Sequence, residues 1–147
     1  MPADVSVDIL IVGAGFAGLG MAIQLRKAGI ESFLVIEKAD DVGGTWRDNI
    51  YPGCACDIPS HLYSFSFERN PEWSRMYAPQ LEIWDYLRAC AKRYGVLPHI
   101  RSQMPLREAI WDEARGVWRV TAGEGTQIEA RVLISAMGAL HVPHYPE

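Results

Sequence analysis

Asp8-Ile-Leu-Ile-Val12 is a short run of leucine and β-branched side chains, and Gly13-Ala-Gly15-Phe-Ala-Gly18 follows it without a spacer. A run that is apolar on both faces suits a strand buried inside a parallel sheet. Leu19, Ala22, Ile23 and Leu25 then recur at helical spacing, and Arg26 and Lys27 bring two cations to the helix end ahead of Gly29 as C-cap. A second apolar run, Ser32-Phe-Leu-Val-Ile36, ends in Glu37. Strand, glycine turn, helix and strand make a βαβ unit of about thirty residues. The expected fold is α/β, built on a Rossmann-like parallel sheet.

The glycines have separate tasks in such a turn. Gly13 permits the sharp change of direction, Gly15 lets backbone approach a pyrophosphate, and Gly18 allows the helix to pack closely on the strand. The helix start at Phe16 and Ala17 offers N–H donors and the positive end of the helix dipole. Glu37 follows Gly18 by 19 residues, the offset of an acid that accepts hydrogen bonds from a ribose. A glycine turn shaped by packing alone is the competing reading, and strand, helix and acid together weigh against it. The expectation is a bound dinucleotide. The fingerprint reads only the adenosine-diphosphate half, which FAD and NAD share, so it leaves both open. Glu37 disfavours a 2′-phosphate, and Lys38 beside it is an imperfect substitute for a dedicated arginine.

The 147 residues are 49% apolar and 22% charged. That suits one domain, which would bury about 68 to 70% of its unfolded surface if complete. No apolar run approaches the length of a membrane span, and Asp4 and Asp8 stand where a signal peptide carries basic residues. A net charge of −4 without any block of like charges argues against non-specific nucleic-acid binding. A cytoplasmic enzyme is therefore expected, free of nucleic-acid and membrane partners. Cys54, Cys56 and Cys90 read as free thiols without the spacing of a zinc site, and His141 and His144, which share a proline-containing tail, read as a solvated pair before a metal site.

From Asp40 to Pro79 the chain loses all sustained periodicity and is rich in Gly, Pro, Asp and Asn. Irregular stretches this long are functional or disordered. Trp46, Tyr51, Tyr63, Phe65, Phe67, Trp73 and Tyr77 argue against disorder, so an ordered, ligand-facing loop is expected. Within it, Gly43-Gly44-Thr45-Trp46 is a second flexible turn followed by an aromatic able to wall a planar ring. Alone, a Gly-Gly pair more often marks an ordinary loop. His61 reads as a positioning residue before a general base. Pro79 to Tyr94 has the pattern of a helix, with Ile83, Leu87, Cys90 and Tyr94 on one stripe, Trp84 packing, and Gly95 as its stop. Short β segments around His99–Arg101, Pro105–Trp111, Val117–Thr121 and Gln127–Ala130 suit a small antiparallel meander. A final, separate strand, Val132–Ala136, leads into Met137-Gly138.

The run Gly43-Gly-Thr-Trp-Arg-Asp-Asn-Ile-Tyr-Pro-Gly-Cys-Ala-Cys-Asp-Ile-Pro-Ser-His-Leu-Tyr-Ser-Phe-Ser-Phe67, with Asn70-Pro-Glu-Trp-Ser74 and Tyr77-Ala-Pro-Gln80, resembles the N-terminal part of class B flavoprotein monooxygenases. Within that class it is most similar to the Baeyer–Villiger monooxygenases. Val132-Leu-Ile-Ser-Ala-Met-Gly138 is similar to the strand and Ala-Thr-Gly turn of their FAD domain, with Met137 in place of the usual Thr. The resemblance spans almost the whole chain.

It implies FAD as cofactor, NADPH and dioxygen as co-substrates, and oxidation of a ketone or aldehyde through a flavin C4a-peroxide. Carried over by position, it assigns Gly13, Gly15 and Gly18, with Phe16 and Ala17 between them, to the FAD pyrophosphate, and Glu37, with Lys38 beside it, to the adenosine ribose. It assigns Gly44, Thr45 and Trp46 to the diphosphate and isoalloxazine side, Tyr63 to the ribityl chain or phosphate, and Asp57 to the active site beside the flavin ring. There an aspartate orients an arginine that stabilises developing anionic charge. Without the resemblance, Asp57 reads as a turn residue ahead of Pro59. Residues 1–147 then correspond to the first part of an FAD-binding domain, with no second glycine fingerprint and no Phe-x-Gly-x-x-x-His-x-x-x-Trp signature. The chain alone is expected not to complete NADPH-driven oxygenation, and its incomplete sheet is expected to self-associate unless another segment covers it. Two alternatives stay open: a flavin monooxygenase acting on nitrogen or sulfur, and a nucleotide-binding module without redox activity.

Overall fold

A computed structural model describes residues 3–139, 141–142 and 144–146. Its centre is β1 (Val5–Val12), which the glycine turn joins to α1 (Phe16–Lys27) and then to β2 (Phe33–Ile36). β1 alternates between two cores. Ile11 points into one made with Leu19, Ile23 and Leu87, while Leu10 and Val12 enter another with Leu34, Ile36, Val120 and Ile128. This two-sided burial is why the strand carries no polar alternation after Asp8. Each fully buried aliphatic side chain contributes about 1.5–3 kcal/mol.

β1 pairs in parallel with β2 on one side and with β6 (Thr126–Ser135) on the other, and β2 pairs in parallel with the short β3 (Ile100–Arg101). β4 (Leu106–Asp112) and β5 (Val117–Ala122) continue the sheet with antiparallel pairing, giving the order β3-β2-β1-β6-β5-β4. The antiparallel meander expected from the sequence is formed by β4, β5 and β6, whereas the segment around His99–Arg101 expected to join it pairs in parallel with β2 instead. The meander grows out of the parallel sheet through β6, which pairs with β5 from Thr126 to Ala130 and with β1 from Ile128 to Ser135. The two strands expected at Gln127–Ala130 and Val132–Ala136 are one. Arg131, which lies between the two expected segments, is a solvent-facing strand position whose side chain is 78% exposed and lies near Asp8.

The irregular segment also contains one element that its composition did not announce, the single turn α2 (Thr45–Asp48). The rest is held down by α3 (Gln80–Arg93), which buries Ile83, Tyr86, Leu87, Cys90 and Ala91. The Tyr86 hydroxyl accepts from the Phe65 N–H (2.8 Å) and donates to the Glu68 carbonyl (2.6 Å). Ser60 does similar work: its hydroxyl accepts from the Ala78 N–H at 2.8 Å and faces the carbonyls of Arg75 and Met76. Phe16 packs edge-on against Tyr63 and Phe65, so the aromatics expected to order the loop do so around the first residue of α1. Among the described residues, no helix is long and apolar enough to cross a membrane.

Candidate functional site

β1, β2 and β6 run parallel, so the segments that leave them emerge at the same end of the sheet. Between these segments and the Gly43–Gly44 turn lies a cleft of about 380 Å³, within the range of small-molecule sites. Gly13, Gly15, Phe16 and Ala17 form one wall; Ile36, Glu37 and Lys38 another; Gly44, Thr45, Trp46 and Tyr63 a third.

The first wall is the start of α1. No side chain caps this helix, and the N–H groups of its first turn have no acceptor within the helix. A methyl group at Gly15 would meet nothing nearer than Gly44 Cα at 3.7 Å, so the turn leaves the cleft open there. Gly18 serves packing instead: a Cβ would lie 1.8 Å from the Gly13 carbonyl oxygen.

Glu37 is 4% exposed and its carboxylate is held from behind. Oε2 accepts from the Ala14 N–H at 2.8 Å and Oε1 from the Ala39 N–H at 3.0 Å. Arg47 Nη1 stands 3.2 Å from Oε1. Burial works against the charge of Arg47, but its bond to Asp48 and the charges of Glu37 and Asp48 outweigh this and raise its pKa.

The third wall depends on two glycines with positive φ, Gly43 (122°) and Gly44 (53°), a region that other residues enter only with strain. The Gly43 N–H donates to the Ala14 carbonyl at 2.9 Å, locking this turn to the fingerprint turn. Trp84 presses against Gly43, where a Cβ would fall 2.5 Å from its ring, and donates to the Val42 carbonyl at 2.8 Å. Farther along, Trp46 donates from Nε1 to the Tyr63 hydroxyl at 3.0 Å, with the rings edge-on at 5.5 Å. Burial pushes the Tyr63 phenol up in pKa, and the negative charge of Asp57 adds to the rise.

Of the residues singled out from the sequence, Gly13, Gly15, Phe16, Ala17, Glu37, Lys38, Gly44, Thr45, Trp46 and Tyr63 come together on this cleft. Gly18 lies behind it. Asp57 is exposed and is not part of the lining, though its negative charge contributes to the raised pKa of Tyr63, which is. Sequence reasoning missed Arg47, which lines the cleft although only 8% exposed, and Met104, Leu106, Met137 and His141, which close another side. Arg47 had one legible sign: it directly follows Gly-Gly-Thr-Trp, and so shares the turn that meets the fingerprint. His141 is not part of any metal cluster: among the described residues, no group of three or more His, Cys, Asp or Glu is placed to hold a metal.

Residues 11–79 match the family model of the NAD(P)-binding Rossmann-like domain. The chain is 48% identical over 141 residues to a Baeyer-Villiger monooxygenase of Streptomyces coelicolor, covering 96% of this chain and 27% of that protein. Among solved structures, cyclohexanone monooxygenase from Rhodococcus sp. Phi1 bound to NADP+ superposes with a TM-score of 0.92 at 33% identity, over 97% of this chain and 28% of that one. OTEMO in complex with FAD and NADP gives 0.89 at 34% identity, over 96% and 27%. The chain thus spans about a quarter of the length of the relatives it matches.

Proposed function

Because the chain belongs, over the quarter of their length that it spans, to the Baeyer–Villiger type of the class B flavoprotein monooxygenases, we propose that its cleft holds FAD. The complete protein would then be an NADPH- and O2-dependent monooxygenase that oxidises a ketone or aldehyde. The observation that carries this reading is the convergence on one cleft of an uncapped helix start, a buried carboxylate and an aromatic wall.

The donor set suits the cofactor. An anionic pyrophosphate finds the first-turn N–H groups of α1 and the positive end of its dipole, with Gly15 leaving room for close approach. Glu37 accepts from the adenosine ribose, and its burial and bonds to Ala14 and Ala39 set its orientation beforehand. Met104, Leu106 and Met137 offer apolar surface on the adenosine side, while Trp46 and Tyr63, held to one another, face the flavin side. Held by these residues, FAD would supply the redox chemistry that oxygenation with NADPH and dioxygen needs. This chain's part is to orient that group and exclude water from its adenosine end. Asp57, on the exposed loop beyond Tyr63, is the residue proposed to act in catalysis by orienting a cation supplied by the remainder of the complete protein.

Purified protein tests the reading directly. A yellow sample with a flavin absorbance band, or a colourless one that takes up FAD on titration, supports it; well-folded material that takes up no FAD refutes it. Product analysis of the complete protein on paired ketone and amine substrates separates carbonyl oxidation from oxidation at nitrogen or sulfur.

A further inference from the structure

We propose that Arg47 is a positioning residue of the dinucleotide site, a buried cation that aims the Glu37 carboxylate at the ribose and ties it to the Gly43–Gly44 turn. The inference rests on the reading that the cleft takes an adenine dinucleotide. Arginine is rarely buried without a partner, and here the partners come from the end of β2, from the loop before Gly43 and from α2 itself. Nε donates to Asp48 Oδ1 at 2.8 Å, Nη1 donates to the Asp41 carbonyl, and Nη1 stands 3.2 Å from Glu37 Oε1. Asp41 is fixed in turn. Its carboxylate accepts from the Val42 N–H at 2.7 Å and from Arg88 Nε at 2.7 Å, and the Arg88 guanidinium lies 3.7 Å over the Trp84 ring. A continuous line of contacts therefore runs from α3 through Asp41 and Arg47 to the end of β2.

The consequence is an occupancy count. A carboxylate has about four lone-pair sites. Oε1 is engaged by Ala39 and Arg47, and Oε2 by Ala14. One site is left, on Oε2, which makes that oxygen the one turned to a ribose hydroxyl. Without Arg47, Oε1 regains a free site and the carboxylate loses the contact that fixes its rotation, so the two oxygens no longer differ in what they offer.

ADP and 2′-deoxy-ADP, which differ only in the 2′-hydroxyl, are the probes, used alongside FAD in titrations of the chain and its variants. The chain itself is expected to prefer ADP about tenfold. In Arg47→Gln that preference falls below about twofold, Arg47→Lys restores part of it, and Glu37→Gln abolishes it, with no further loss in the double variant because the two residues act as a unit. A purely structural role predicts that Arg47→Gln weakens both nucleotides by the same factor and leaves their ratio intact; that result overturns the inference. Should Arg47→Gln not fold, Arg47→Met decides, since it too removes the charge and an unchanged ratio there is equally fatal. If the unsubstituted chain binds neither FAD nor ADP, the FAD reading itself fails and the inference falls with it. If it binds FAD and prefers ADP but Arg47→Gln keeps that preference, only the role of Arg47 fails.

Discussion

Two alanine substitutions, at the third and at the last residue of the same glycine fingerprint, should have opposite consequences. At Gly18 a new methyl carbon would stand 1.8 Å from the Gly13 carbonyl oxygen and 2.9 Å from its carbon. Both atoms are backbone, so neither swings aside, and the helix must move off the strand. Overpacking costs about 1–3 kcal/mol where side chains can adjust; with backbone on both sides the upper end, about 3 kcal/mol, is expected. For a chain of this size that is a fall of about 6–12 °C in the unfolding midpoint. At Gly15 the methyl meets nothing within 3.7 Å, and φ of −81° is one that alanine adopts freely. The loss of a favourable N-cap residue and the gain from a stiffer unfolded chain are each about 0.5 kcal/mol and opposite in sign. The midpoint should move by no more than about 2 °C. The methyl does occupy cleft space beside Gly44, and FAD affinity should fall at least about tenfold, equivalent to 1.4 kcal/mol. Thermal unfolding by circular dichroism and FAD titration by fluorescence quenching read the two effects separately. Gly15→Ala binding FAD as tightly as the unsubstituted chain, or Gly18→Ala keeping its midpoint, would refute the division of labour derived for these two positions.

Three further outcomes are expected. Tyr86→Phe leaves the Phe65 N–H and the Glu68 carbonyl without their partner and should lower stability by about 2–4 kcal/mol, seen as a shift in the urea midpoint. Burial raises the pKa of the Cys90 thiol above its ordinary 9.0 and that of the Tyr86 phenol above 10.0; fold and neutral form favour one another, so this stability is complete below about pH 9 and drains away as pH rises through the raised values. Unfolding midpoints measured from pH 8 to 11 should fall, and the fall should start later in Cys90→Ala; a flat profile contradicts the burial reasoning. Asp57 is exposed and outside the cleft lining, so Asp57→Ala should change stability by less than about 0.5 kcal/mol and leave FAD affinity unaltered, while product analysis of the complete protein should show oxygenation lost.

The parts of the fold legible in the sequence are those in which local pattern and burial agree. Asp8 to Glu37 gave its strand, helix and strand because each apolar face there meets a core, and Gln80 to Arg93 gave its helix because Ile83, Leu87 and Cys90 line one stripe. β6 was misread because its middle residue answers to solvent rather than to the sheet: Arg131 breaks the apolar pattern without interrupting the pairing of Ala130 and Val132 with β1. Strand pairing is a property of two chains of backbone and leaves little mark on one sequence. The site was legible in the same measure. Glycines and Glu37 declare themselves by spacing, whereas Arg47 has the residue type of a surface position and becomes a site residue only through partners brought from Asp41 and Glu37.

That dependence on pairing also explains why the cleft stands where it does. Val12 is level with Ile36 on one side and with Ser135 on the other, so three parallel strands end in one row and release Gly13, Glu37 and Ala136 together. β1 is the strand at which the chain order reverses, with β2 to one side and β6 to the other, and open α/β sheets bind ligands at such a switch point, beyond the carboxyl ends of the strands. The row is held by burial rather than by the site itself. All four residues of β2 are buried, two in each core, and a slip of one residue against β1 would turn each of them toward the opposite layer and withdraw Glu37 from the row. Phe33 to Val35 do not line the cleft, yet their packing decides that a carboxylate meets the start of α1. The geometry that recognises a ribose is in this sense inherited from the packing of a four-residue strand.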